Sequence, residues 1–156
     1  MRKTVSIGLA AGVLLAGTLL IVGPGWSENP ESGALPYLDA ERVAEGREIY
    51  EGYCASCHGA NLEGEANWQS SDADGYLPAP PHDETGHTWH HDTALLTRIV
   101  REGTEAIVGG SYKSNMMGFG DVLSHTEIAS VLGYIKSTWP AEIQDIHNEI
   151  DTRSLP

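Results

Sequence analysis

The sequence predicts an all-α fold of about three main helices joined by long loops, preceded by an N-terminal apolar helix. Apolar residues recur at helical spacing in three segments, and each segment begins at a residue that commonly caps a helix. A long stretch rich in glycine, proline and short polar residues separates the first two segments. We recognise no strand pair and no internal repeat. With 156 residues, the chain has room for one domain and short extensions.

The chain begins with two basic residues, Arg2 and Lys3, followed by the uncharged apolar stretch Thr4–Val22. A positive start before an apolar core is typical of an export signal. As a helix, these 19 residues would be roughly 28 Å long, close to the bilayer core of about 30 Å. We interpret residues 1–23 as a membrane anchor in preference to a cleaved signal peptide, because no small-residue cleavage site follows the core. Both interpretations place the rest of the chain outside the cytoplasm, in the periplasm.

Residues 24–38 are rich in Pro, Gly and Ser, which is typical of a linker. A domain spanning residues 39–140 is predicted to follow. Its first helix begins at the cap Asp39 and continues into Cys54.

The second helix is predicted to begin at the cap Asp92 and to end at Gly103. The capping box Ser124-His125-Thr126-Glu127 opens the third, which Pro140 ends. The tail, residues 141–156, has isoleucines at helical spacing and is predicted to form a short docked helix.

Cys54-Ala55-Ser56-Cys57-His58 is a C-x-x-C-H sequence, the attachment motif for c-type haem. Two thiols three residues apart can add to the two vinyl groups on one edge of a porphyrin, and the next residue then lies under the ring. There an imidazole can coordinate the iron. A haem would also explain the long loop from Gly59 to His91, because the loop could wrap an apolar cofactor instead of packing on itself.

Three other interpretations of the cysteine pair are weaker. A redox disulfide of the thioredoxin type needs a βαβ context, which the pattern lacks. A zinc site needs more ligands of this kind, and Cys54 and Cys57 are the only two cysteines. A simple structural disulfide would not explain the adjacent His58 and the export signal.

A haem iron bound by histidine on one side commonly takes a methionine sulfur on the other. Apart from the initiator, the chain has only Met116 and Met117. Adjacent side chains generally point in different directions, so one of the two is expected to bind iron.

Together these residues resemble the bacterial class I cytochromes c over about residues 39–140. In that family the ligand methionine lies in a loop before the last helix, usually within Met-Pro-x-Phe. The stretch Ser114-Asn115-Met116-Met117-Gly118-Phe119-Gly120-Asp121 is similar to this loop. The resemblance implies Met116 as the ligand, with Met117, which stands in the place of the usual proline, as the runner-up.

The resemblance also implies two structural contacts. The first and last helices cross at a small residue and aromatics, which would be Gly46, Tyr50 and Tyr134. A proline carbonyl in the long loop accepts a hydrogen bond from the ligand histidine, and Pro78, Pro80 and Pro81 are all candidates.

Four histidines, His82, His87, His90 and His91, lie within ten residues. Two interpretations stand, a second metal site or a polar loop beside the haem. In the second, Trp89 packs on the ring or bonds a propionate. Arg98 and Tyr112 are further candidates for contact with the propionates.

The formal net charge of −13 argues against nucleic acid as a partner, because phosphates require a basic surface. Two interpretations of the acidity stand together: it favours redox protein partners with a basic docking patch, or it only keeps the domain soluble. With both axial positions of the iron filled, no small-molecule substrate is expected. The sequence therefore predicts a single-electron carrier with one covalent haem c rather than an enzyme. The alternatives are a haem c subunit of a membrane dehydrogenase or oxidase, a haem enzyme or sensor, and a metal-binding protein built on the histidines.

Overall fold

The computed structural model describes residues 34–154, and the predicted N-terminal apolar helix lies outside this range. The described part is mainly helical, as predicted. Four helices have ten or more residues: α1, Ala40–Tyr53; α3, Thr93–Glu102; α5, His125–Ser137; and α6, Ala141–Ser154. Two shorter helices, α2 (Ala55–His58) and α4 (Thr104–Val108), and a 3-10 turn at Thr88–His90 lie between them. No helix in this range is both long and apolar enough to cross a membrane.

The three predicted helix starts are confirmed. The Asp39 carboxylate accepts hydrogen bonds from the first-turn amides of α1, and Asp92 accepts one from the amide of Leu95 in α3. Ser124 and Glu127 form the predicted capping box of α5. These side chains satisfy amides that have no partner within a helix.

The prediction that no strands pair was wrong in one small respect. Tyr76–Leu77 (β1) pairs in parallel with Lys113–Ser114 (β2), joining two loops. Each strand has two residues, which is too short to produce a recognisable alternation of polar and apolar side chains.

Helices α1 and α5 pack directly on each other at Gly46. A Cβ at this position would lie 2.0 Å from the carbonyl oxygen of Ser130, so only glycine fits. One turn later, the buried Tyr50 ring packs against Tyr134, with centroids 5.5 Å apart. This crossing matches the expectation from the resemblance.

Two apolar clusters form the core, and Ile49 of α1 packs against both. One joins the second and third predicted helices, and its buried members are Leu35, Leu96, Leu123, Ile128 and Leu132. The other lies beside the cysteine motif, and its buried members are Tyr50, Leu62, Val131, Ile135 and Trp139. Leu35 belongs to the segment predicted as a linker, so residues 35–37 near the end of that segment pack on the domain.

Helix α6 has 14 residues and docks through polar contacts that the sequence did not reveal. Lys136 is fully buried, and its ammonium group lies 2.9 Å from His147 Nδ1 and donates to Asn148 at 2.6 Å. Asp151 accepts hydrogen bonds from the backbone and the hydroxyl of Thr93. The tail is therefore tied to both α5 and the start of α3.

Candidate functional site

The C-x-x-C-H motif begins directly where α1 ends and forms the short helix α2. Cys54 ends α1, and its carbonyl accepts hydrogen bonds from the amides of Cys57 and His58. The two cysteines are both free thiols; Cys54 is half-buried and Cys57 is exposed. Burial, and secondarily the neighbouring Cys57 thiol, raise the pKa of Cys54 to about 11, so this thiol is protonated at neutral pH.

The His58 ring is buried and has a fixed hydrogen-bond partner. Its Nδ1 lies 2.8 Å from the carbonyl oxygen of Pro80, which can only accept. The proton therefore resides on Nδ1, and the lone pair of Nε2 is left available. Burial lowers the pKa of His58, although the hydrogen bond to Pro80 opposes the shift. Among the three candidate prolines, Pro80 is thus the one whose carbonyl meets the histidine.

The loop from Gly59 onward is held in place largely by its own hydrogen bonds. The amide of Gly64 donates to the carbonyl of His58, and the amide of Glu65 donates to the carbonyl of Ala79. The Glu65 carboxylate accepts from the amide of Ala79 at 2.6 Å. These bonds bring the segment that contains Pro80 back to His58.

Met116 and Met117 lie in the loop after β2 and differ in exposure. Met116 is half-buried, and its amide donates to the hydroxyl of Ser114 at 3.1 Å. Met117 is 69% exposed, and its backbone forms an isolated bridge with Gly103. The following amides of Phe119 and Gly120 donate to carbonyls at the end of α3, which fixes the loop on that helix.

An open cavity of about 530 Å³ adjoins this methionine loop. Residues of α3, α4 and the loop line it, including Gly103, Ala106, Met116 and Met117. Met116 and Met117 thus both border an open space, and neither belongs to the two apolar clusters of the core.

Three weaker candidates are dispersed. Trp89 is half-buried, packs beside the cluster around Tyr50 and donates to the carbonyl of Glu84 at 3.3 Å. Arg98 is exposed on α3 and lies 3.6 Å from the Glu102 carboxylate. Tyr112 lines a second cavity together with Leu77 and Lys113.

The histidine cluster divides into two parts. His82 turns inward and stacks on His58, with ring centroids 4.0 Å apart. His87 stacks on Trp68 and touches His91 edge-on, while His90 packs against Trp89. Within residues 34–154, no group of three or more His, Cys, Asp or Glu side chains has the geometry of a metal site.

Sequence reasoning missed the contact between His82 and His58. The only available signal was the position of His82 two residues after Pro80, on the segment expected to approach the ligand histidine. That signal was obscured because three other histidines follow closely and gave the stretch the pattern of a polar surface loop.

Comparison with known proteins is consistent with this geometry. The cytochrome c family model matches residues 43–139. The chain is 30% identical to a nitrite reductase of Stutzerimonas stutzeri over 142 residues, which cover 87% of this chain and 21% of that protein. It is 27% identical over 102 residues to the cbb3-type cytochrome c oxidase subunit FixP of Azorhizobium caulinodans, covering 65% of this chain and 31% of FixP.

The chain thus spans less than a third of the length of these curated relatives. No solved structure matches it. The family model covers more than half of the chain, and both cysteines stand in the attachment motif for haem. The chain therefore belongs to the cytochrome c family, carries a covalently bound haem c and acts in electron transfer.

Proposed function

We propose that this protein is a single-electron carrier in which one haem is joined to Cys54 and Cys57 and bound axially by His58 and Met116. The observation that carries the proposal is the hydrogen bond from His58 Nδ1 to the Pro80 carbonyl. His58 directly follows Cys57, the second of the two free cysteines of the motif. It leaves Nε2 of a buried imidazole as a nitrogen donor in the place where the motif requires one.

The thiols also fit the attachment chemistry. Each S–H adds across one vinyl double bond, so that the sulfur forms a thioether and the hydrogen goes to carbon. This addition consumes no oxidant. The bound haem then supplies an iron centre that takes up and releases one electron.

The difference in exposure between the two methionines supports Met116 as the second ligand. A thioether bound to iron is shielded from water, as the half-buried Met116 side chain already partly is. Met117 is 69% exposed and is therefore less shielded from water than Met116. With His58 and Met116 both bound, the iron has no open position for a substrate, which favours a carrier over a haem enzyme or sensor.

The decisive experiment compares the oxidised absorption spectra of the wild type, Met116→Ala and Met117→Ala. We expect the far-red sulfur-to-iron band to vanish in Met116→Ala alone, with Met117→Ala as the matched control. Loss of the band only in Met117→Ala would reverse the assignment. A wild-type protein without the band, or one whose ferrous form binds CO rapidly, would contradict methionine ligation.

A second candidate function is that of a haem c subunit within a larger oxidoreductase. The relatives favour it, because one is named a nitrite reductase and the other an oxidase subunit. The apolar stretch Thr4–Val22 would then anchor the haem domain on the periplasmic face of the membrane. Purification of the tagged chain from its host membranes distinguishes the two functions, since a subunit co-purifies with a larger complex and a carrier does not.

A further inference from the structure

The rings of His82 and His58 are stacked, with centroids 4.0 Å apart and planes inclined by only 23°. We propose that His82 is a positioning residue that fixes the plane of the His58 ring, and thereby the orientation in which this imidazole binds the haem iron. The inference rests on the proposed function, in which His58 is the axial nitrogen ligand.

The hydrogen bond to Pro80 does not fix the His58 ring by itself. The torsion that rotates an imidazole about its bond to Cβ is broad, and a single contact at Nδ1 leaves the ring free to rock about the line to the carbonyl oxygen. A second aromatic ring lying flat on one face removes this freedom, because any rotation of His58 drives its edge into His82.

His82 can serve as such a support because it is itself held at three points. Its Nδ1 lies 2.7 Å from the hydroxyl of the buried Thr88. Its amide donates to the carbonyl of Leu62 at 2.8 Å, and its carbonyl accepts from the indole N–H of Trp139 at 2.7 Å. Leu62 and Trp139 are both core residues, so the backbone that carries the ring is anchored to the packed interior, while Thr88 holds the ring itself.

One segment of chain supplies both constraints on His58. Pro80 provides the hydrogen-bond acceptor, and His82, two residues later, provides the flat surface. The backbone between them is tightly packed, since a Cβ at Gly64 would lie 2.5 Å from the nitrogen of Pro81 and one at Gly86 would lie 2.0 Å from its carbonyl oxygen. The two contacts therefore cannot shift independently.

The test uses the haem-loaded full chain and the variants His82→Ala, His82→Phe and His87→Ala. The readout is the proton NMR spectrum of the oxidised protein, in which the order and spread of the haem methyl shifts report the plane of the axial imidazole. We expect the pattern to change in His82→Ala and to stay close to wild type in His82→Phe, which keeps a flat ring. His87 is an exposed histidine from the same loop, so His87→Ala should leave the pattern of haem methyl shifts unchanged.

A purely structural role for His82 predicts a lower urea midpoint with an unaltered pattern, and that result would overturn the proposal. A change in His82→Phe as large as in His82→Ala would also overturn it. If His82→Ala does not accumulate with haem, His82→Leu provides the test, because it removes the flat ring while keeping an apolar side chain of comparable size. We expect it to shift the pattern, and a wild-type pattern would refute the inference.

Failure of this inference differs from failure of the proposed function. If the wild-type spectrum lacked the resonances of an iron-bound histidine, the assignment of His58 itself would be wrong. If those resonances are present and only the variants behave like wild type, His58 binds the iron and His82 does not position it.

Discussion

The helix crossing at Gly46 offers a prediction with a control in the same helix. An ideal Cβ at this position would lie 2.0 Å from the carbonyl oxygen of Ser130 and 2.5 Å from its carbonyl carbon. Contacts of real Cβ atoms below 3.0 Å are essentially never seen, so Gly46→Ala must separate α1 and α5 by about 1 Å. The clashing atoms belong to the backbone of α5 and cannot rotate away.

This separation would also stretch polar contacts across the crossing. The hydroxyl of Ser130 donates to the Glu45 carboxylate at 2.7 Å, and Arg42 donates to the carbonyl of Thr126. Overpacking of a well-packed interface typically costs about 1–3 kcal/mol. Because rigid backbone opposes the new methyl group, we expect Gly46→Ala to lose about 2–3 kcal/mol of the free energy of unfolding.

Gly52 lies in the last turn of α1, and a Cβ there would meet nothing within 4 Å. Gly52→Ala should therefore gain up to about 1 kcal/mol, from the lower conformational entropy of the unfolded chain. Urea unfolding of the haem-loaded proteins, followed by far-UV circular dichroism, measures both changes. With a slope of about 1–3 kcal/mol per molar urea, Gly46→Ala should lower the midpoint by roughly 1 M. Equal midpoints for the two variants would refute close backbone contact at Gly46.

Two further predictions concern charge. Burial, then the Lys136 charge, lower the pKa of His147, against the opposing Asp151, so below about pH 6.5 the unfolded state binds a proton that the folded state does not. The contribution of His147 to the free energy of unfolding should therefore be fully present above that pH and be lost as the pH falls. The loss should amount to at most about 1.4 kcal/mol per pH unit. His147→Gln should reduce this slope in urea titrations at pH 7 and pH 5, and an unchanged slope would contradict the assignment. The net charge of −13 predicts that electron exchange with a basic redox protein, measured by stopped flow, slows at least several-fold between about 0.01 and 0.15 M salt. A rate independent of salt would exclude electrostatic attraction between the partners.

The features that sequence could predict are those set by neighbours along the chain. Each predicted helix cap accepts hydrogen bonds from amides within three residues along the chain, as seen at Asp39, Asp92 and Ser124. Such a cap can be predicted from the sequence without knowledge of the fold. The C-x-x-C-H motif is likewise local. The helix crossing at Gly46 could be predicted only from the resemblance to a family, because Ser130, which Gly46 contacts, is 84 residues away in the sequence.

The features that escaped prediction depend on distant side chains with no shared pattern. Lys136 lies in the last turn of α5, a position at which a lysine is common and is usually exposed to solvent. Its burial depends on His147 and Asn148, and on the Tyr37 ring, whose centroid lies 4.5 Å from the ammonium group. None of these residues has the spacing of a recognised motif. The sequence predicted a docked helix in the tail, but the polar contacts that hold α6 in place required the structure.

The long loop after the cysteine motif is a constituent of the site rather than a connection between helices. Its hydrogen bonds between Gly64 and His58 and between Glu65 and Ala79 return the chain to the motif. Pro80 then meets the His58 ring, and its near neighbour His82 covers one ring face. This return of the chain requires the glycines that made the loop look structureless. Gly64, for example, has a positive φ of 68° and lies against the backbone at Pro81. A substitution in this loop should thus act first on the geometry at His58 and only second on the stability of the helices.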